Sequence, residues 1–172
     1  LLAEIRTTEE GDLRVPHSLA LIEDLDLICV ADRENERVLC LSAGLGGVGR
    51  RALPAGMVIT RAEQVSARGV SSSRSASPQV GRVFAIRERA HVLVGLTKDE
   101  EDETTSQLFA FDLQTGQART LPQVSERRGE SRRGVQSLGD GHALALSDSG
   151  DVYVAQMRPS QVLKLAIQQD AE

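Results

Sequence analysis

Aromatic residues make up only 2% of this 172-residue chain, and tryptophan is missing altogether. Phe84, Phe109, Phe111 and Tyr153 are the whole aromatic set, so a core has to be built from leucine, valine, alanine and isoleucine. No apolar run approaches the roughly 20 residues that span a bilayer, and no transmembrane segment is expected. Positive charge is in deficit: the net charge is −5, which argues against nucleic acid or an anionic membrane as partner. A Ser-His-Asp arrangement, a P-loop and a Cys-x-x-Cys pair are all absent. The chain opens on Leu1 without a methionine or a signal peptide, so we expect it to be a fragment with further sequence upstream.

Cysteine occurs twice, and the two positions are informative. Residues 25–31 and 37–42 are apolar runs, and Asp32-Arg33-Glu34-Asn35-Glu36 between them is a polar turn. Cys29 and Cys40 stand at equal distances from the turn centre between Glu34 and Asn35. In an antiparallel hairpin they face each other with Cα atoms about 4.5–5.5 Å apart, within disulfide range. Two buried free thiols are the alternative, but the facing of these two residues favours the disulfide. A disulfide requires an oxidising compartment, which places the protein in the secretory pathway or outside the cell.

The chain is self-similar. His17-Ser18-Leu19-Ala20-Leu21 leads to Leu27-Ile28-Cys29-Val30-Ala31 and then to Arg37-Val38-Leu39-Cys40-Leu41. Near the end, His142-Ala143-Leu144-Ala145-Leu146 leads to residues 151–155 and then to residues 161–165. A middle copy without the histidine runs through residues 82–86, 90–94 and 107–111. Each copy is three short strands joined by turns, the pattern of NHL-type β-propeller blades. The expected fold is therefore all-β, with about three blades near residues 15–60, 80–122 and 135–168. Three blades leave open edges, so one larger propeller domain should contain residues 1–172. Residues 66–78 are serine-rich and expected to form a flexible loop. Lys98 to Glu103 and residues 125–133 are charged loops, read as solvated surface. Gly44-Leu45-Gly46-Gly47-Val48-Gly49 fits a dinucleotide fingerprint, but no helical period follows to receive a pyrophosphate.

His17 and His142 occupy matching positions, each just before a Leu-Ala-Leu strand. Histidines at matching positions in different blades converge on the propeller channel, where neutral imidazoles can share one metal ion. Arg33, at the hairpin tip, can hold a carboxylate through two parallel hydrogen bonds. His91 lies within an apolar run and is read as structural.

Val15-Pro16-His17-Ser18-Leu19, Ala31-Asp32-Arg33-Glu34-Asn35 and the Cys29/Cys40 pair together resemble the peptidyl-α-hydroxyglycine α-amidating lyases, the lyase domains of the peptide-amidating monooxygenases. The likeness is dense over residues 15–41, moderate over 80–120 and 140–166, and absent from the serine-rich loop. It implies a six-bladed propeller of which this chain is the C-terminal half. It further implies catalytic zinc on His17 and His142, with a third histidine, a tyrosine and another arginine upstream of residue 1, and Arg33 as the catalytic and substrate-binding arginine. The implied substrate is a peptide ending in α-hydroxyglycine, cleaved to peptide amide and glyoxylate, and a copper monooxygenase domain would be a fused or paired partner. The family's Pro-His-Asp is Gly141-His142-Ala143 here, and Ala143 has no group to coordinate the family's calcium, which puts calcium in question. A non-catalytic NHL binding module is the alternative reading. A metal-dependent lactonase is a distant third, since no carboxylates converge in the pattern.

Overall fold

A computed structural model of the chain describes residues 4–45, 58–63, 81–98, 104–121 and 138–165. The described residues are strands and turns, with two short 3-10 turns as the only helical elements. The serine-rich segment 66–78, the acidic run 99–103, the arginine-rich run 125–133 and Gly46 to Gly49 of the glycine motif lie outside them.

A small hairpin, β1 (Thr7–Thr8) and β2 (Gly11–Asp12), precedes three antiparallel sheets. The first contains β3 (Pro16–Ile22), β4 (Leu27–Asp32), β5 (Arg37–Ser42) and β6 (Val58–Glu63) in chain order. The second contains β7 (Arg82–Arg89), β8 (Val92–Lys98), β9 (Ser106–Asp112) and β10 (Ala118–Thr120). The third contains β11 (Asp140–Leu146), β12 (Val152–Arg158) and β13 (Gln161–Leu165). The three strands expected per copy are present, and in the first two sheets β6 and β10 add a fourth at the outer edge. The first strand of each sheet is innermost, and β7 lies against both β3 and β11. This is the arrangement of consecutive propeller blades.

The middle strands explain why the sequence shows apolar runs rather than strict alternation. β4 and β5 are buried on both faces, one by the second sheet and the other by residues near the N-terminus. Leu27, Cys29, Ala31, Val38 and Cys40 pack against Val83, Ile86, Leu93, Phe109 and Phe111 of the second sheet. Val30, Leu39 and Leu41 on the opposite face meet Ile5 and Leu13. Ala85, Val94, Leu96 and Leu108 likewise pack against Leu144, Val152, Val154 and Leu165 of the third sheet.

Cys29 pairs directly with Cys40 in the β4–β5 ladder, and the two are joined in a disulfide with Cα atoms 4.0 Å apart, closer than the hairpin expectation. His91 is not inside a strand. It is the second residue of a two-residue turn between β7 and β8, with φ of +51° at Ala90 and +63° at His91, the conformation that matches hairpin twist. Its Nε2 faces the Asp24 carboxylate at 2.6 Å, tying that turn to the turn between β3 and β4. Lys98 is likewise no part of a solvated loop: it ends β8 with its side chain 3% exposed.

Candidate metal and carboxylate site

Each innermost strand is interrupted at the same place. The β3–β4 register slips between Pro16 and Ser18, the β7–β8 register between Val83 and Ala85, and the β11–β12 register between Gly141 and Ala143. The residue left out of each ladder is His17, Phe84 and His142 respectively. A β-bulge releases one residue from pairing and re-aims its side chain. Three bulges on three adjacent inner strands thus direct three side chains into one cluster.

The ring centres of His17 and His142 are 5.5 Å apart, with planes at 86°. Two imidazoles bound to one tetrahedral zinc at about 2.0–2.1 Å have ring centres about 5 Å apart, so the pair fits a shared ion. A hydrogen bond also sets the tautomer of the His17 ring. Its Nδ1 donates to the Phe84 carbonyl at 2.7 Å, and since a carbonyl only accepts, Nδ1 carries the proton. Nε2 of the neutral ring is then the nitrogen with a lone pair, the arrangement typical of histidine ligands. Among the described residues, no set of three His, Cys, Asp or Glu side chains is placed to hold a metal. His17 and His142 are two imidazoles that could each give one bond to such an ion.

Arg33 borders the same cluster. Its guanidinium carbon lies 5.2 Å from the Phe84 ring centre, and a tight local network holds it there. Asp32, buried at the end of β4, accepts Arg37 Nε at 2.7 Å, Asn35 Nδ2 at 2.7 Å and the Arg14 backbone N–H at 2.6 Å. These contacts shape the 3-10 turn, Arg33–Asn35, that carries Arg33. Glu34 bonds Arg33 Nε at 2.8 Å and takes two contacts at 2.7 Å from Arg82 of the second sheet. Hydrogen bonds from Arg82 first, and Arg33 second, hold the Glu34 carboxyl below the usual glutamate value of 4.5.

Three residues join the cluster that inspection of motifs missed. Phe84 fills the bulge position of the middle sheet, its ring 5.2 Å from that of His17 and 6.2 Å from that of His142. Lys98 Nζ stands 4.3 Å from the centre of the same ring and is ion-paired with Asp140 at the start of β11. Register gives the signal that would have found them. Phe84 matches the two histidines, and Lys98 follows Thr97 as Arg33 follows Asp32, each pair opposite the residue before a bulge.

Gly141 stands where the resembling motif has a proline, and its backbone is in close contact with the second sheet. Its backbone N–H donates to Ser106 Oγ at 2.9 Å, a bond proline cannot make. A Cβ at this position would stand 2.9 Å from Leu96 Cδ2 and 3.1 Å from Ser106 Oγ.

An NHL repeat matches residues 13–41, the segment that carries His17, Arg33 and the disulfide. A probable peptidyl-alpha-hydroxyglycine alpha-amidating lyase of Caenorhabditis elegans is 42% identical over 171 residues, covering 97% of this chain and 40% of that protein. Over nearly its whole length the chain is similar to that lyase. Peptidyl-alpha-hydroxyglycine alpha-amidating lyase 2 of Drosophila melanogaster is 64% identical over 33 residues, 19% of this chain and 8% of the relative. Peptidylglycine alpha-amidating monooxygenase of Rattus norvegicus is 63% identical over 30 residues, 17% of this chain and 3% of the relative. The chain therefore spans well under half the length of the relatives it matches.

Proposed function

We propose that the intact protein containing this chain is a zinc-dependent lyase that cleaves peptidyl-α-hydroxyglycine into a peptide amide and glyoxylate. The observation that carries the reading is the convergence of His17 and His142, with Arg33 beside them, in a chain 42% identical to a probable lyase of that activity. His17 and His142 would hold the zinc together with a third ligand outside the chain; when bound, the metal supplies Lewis acidity that lowers the pKa of the substrate hydroxyl. Arg33 binds and neutralises the hydroxyglycine carboxylate, and Glu34 keeps the guanidinium aimed at the cluster. The hydroxyl proton passes to a base that the resemblance places upstream of residue 1. The O–H electrons close the aldehyde C=O, the N–Cα bond breaks with its pair on nitrogen, and a proton returns there to give the amide.

The substrate is a peptide ending in α-hydroxyglycine, and a copper monooxygenase domain, fused or separate, is its source, a reading supported by the relatives named as peptidylglycine alpha-amidating monooxygenases. The disulfide supports a secretory-pathway or extracellular location. Calcium is left out of the reading, because the methyl group of Ala143 cannot ligate it. Phe84 at a bulge position and Ala143 beside the last histidine favour one second reading, a non-catalytic NHL binding module. The two separate in one experiment on the intact protein. His17→Ala and His142→Ala should each abolish zinc binding and glyoxylate release; glyoxylate release that survives both changes sinks the lyase reading.

A further inference from the structure

The middle sheet donates no histidine to the cluster, yet its inner strand lies between the two that do. Phe84 touches both imidazoles and also holds one of them through its backbone carbonyl. Its ring is in turn fixed by Lys98, whose ammonium sits over the ring face and is neutralised by Asp140. Asp140 is two residues before His142 on β11, and the Gly141 N–H between them is bonded to Ser106 of the second sheet. The bulge that presents His142 is therefore clamped to the second sheet through the two residues that precede it. His17 is clamped to the same sheet through Phe84 O, and the neighbouring Ser18 Oγ accepts the Ile86 N–H at 3.2 Å.

Resting on the zinc reading above, we propose that Phe84, held by the buried Lys98–Asp140 pair, is the positioning residue that sets the separation and tilt of the His17 and His142 imidazoles. The chemistry of the three groups suits the task. A phenyl ring cannot ligate a metal, so it fills the bulge position without competing for the ion. Its face takes the Lys98 cation, and its carbonyl selects the His17 tautomer. An inner strand placed merely for packing would need none of these polar contacts at the site.

The test compares zinc affinity, the absorption spectrum of the cobalt(II)-substituted protein and thermal stability in the intact protein. Phe84→Leu keeps apolar volume and removes the ring; volume-conserving core exchanges are tolerated best. A Lys98→Met/Asp140→Leu double variant replaces the ion pair with apolar groups, an exchange often neutral for stability. Phe84→Tyr keeps the ring. We expect Phe84→Leu and the double variant to weaken zinc binding about 10- to 100-fold, the range typical of groups that orient ligands. Both should change the cobalt spectrum while the Tm of the zinc-free protein stays nearly unchanged, and Phe84→Tyr should bind zinc as the wild type does. Unchanged affinity and spectrum in both weakened variants overturn the proposal. An affinity loss that only follows a collapse of Tm overturns it as well, and returns Phe84 to core packing. A wild-type protein that binds no zinc overturns the metal reading itself, which separates that failure from this one.

Discussion

Asp32 and Glu34 show how much of the site is held by residues that do no chemistry. Asp32 is fully buried and accepts from Arg37, Asn35 and the Arg14 backbone, so three segments meet on one carboxylate. Glu34 lies between Arg33 and Arg82 and links the first sheet to the second. Because its folded-state pKa is lowered, chiefly by Arg82, its contribution to stability is fully present above the unfolded value. That contribution is lost as the pH falls through the lower folded value. Glu34→Gln removes the titrating group. Near neutrality the variant should be the less stable protein, and the acid limb of its stability–pH curve should be shallower below the usual glutamate range, so that the two proteins converge in acid, as read from urea midpoints across pH. An unchanged acid limb would mean that the Arg33–Glu34–Arg82 contacts add nothing to folding.

At the scale of the element, the first hairpin is over-determined. Two apolar runs, a polar turn closed by Glu36 in the left-handed region with φ of +51°, and a disulfide across the ladder all specify one register. The bond closes a short loop, with a sequence separation of 11, which corresponds to roughly 2–3 kcal/mol of unfolded-state entropy. Both sulfurs are also buried against the second sheet. Cys29→Ala/Cys40→Ala should therefore destabilise the protein by about 2–4 kcal/mol in denaturant titrations, while the Arg33 turn keeps its Asp32 anchor. The bulges are the other element-level device. Each spoils one step of a ladder, and in exchange frees a side chain for the centre of the molecule.

At the scale of the whole molecule, the site exists only between sheets. His17 belongs to the first sheet, Phe84 and Lys98 to the second, Asp140 and His142 to the third. A metal shared by His17 and His142 would bridge the first and third sheets and bind the folded protein in preference to the unfolded chain. Such linkage contributes about 2.7 kcal/mol when free zinc is one hundred times the Kd. Chelation of the intact protein should thus lower Tm, zinc should restore it, and His142→Ala should remove the response. A Tm indifferent to chelator and zinc would argue against an ion at this position.

The amino-acid order by itself determines the local parts: the three copies, the hairpin and its facing cysteines, and the candidacy of His17, His142 and Arg33. The copies, the hairpin and the matched histidines depend on short-range periodicity and turn chemistry, which neighbouring residues write directly into the chain, while Arg33 is singled out by its likeness to the amidating-lyase segment. His91 was misjudged because Ala90 and His91 read as strand residues, whereas the hairpin twist forces both to positive φ. Lys98 was misjudged because it begins a charged run, and only the approach of β11 with Asp140 makes its burial tolerable. Tertiary structure alone decided that His17 and His142 meet, that a phenylalanine stands between them, and that a buried ion pair holds it. Those relations arise where three sheets pack face to face around a common centre. No local pattern encodes the distance between side chains that only the stacking of whole blades brings together.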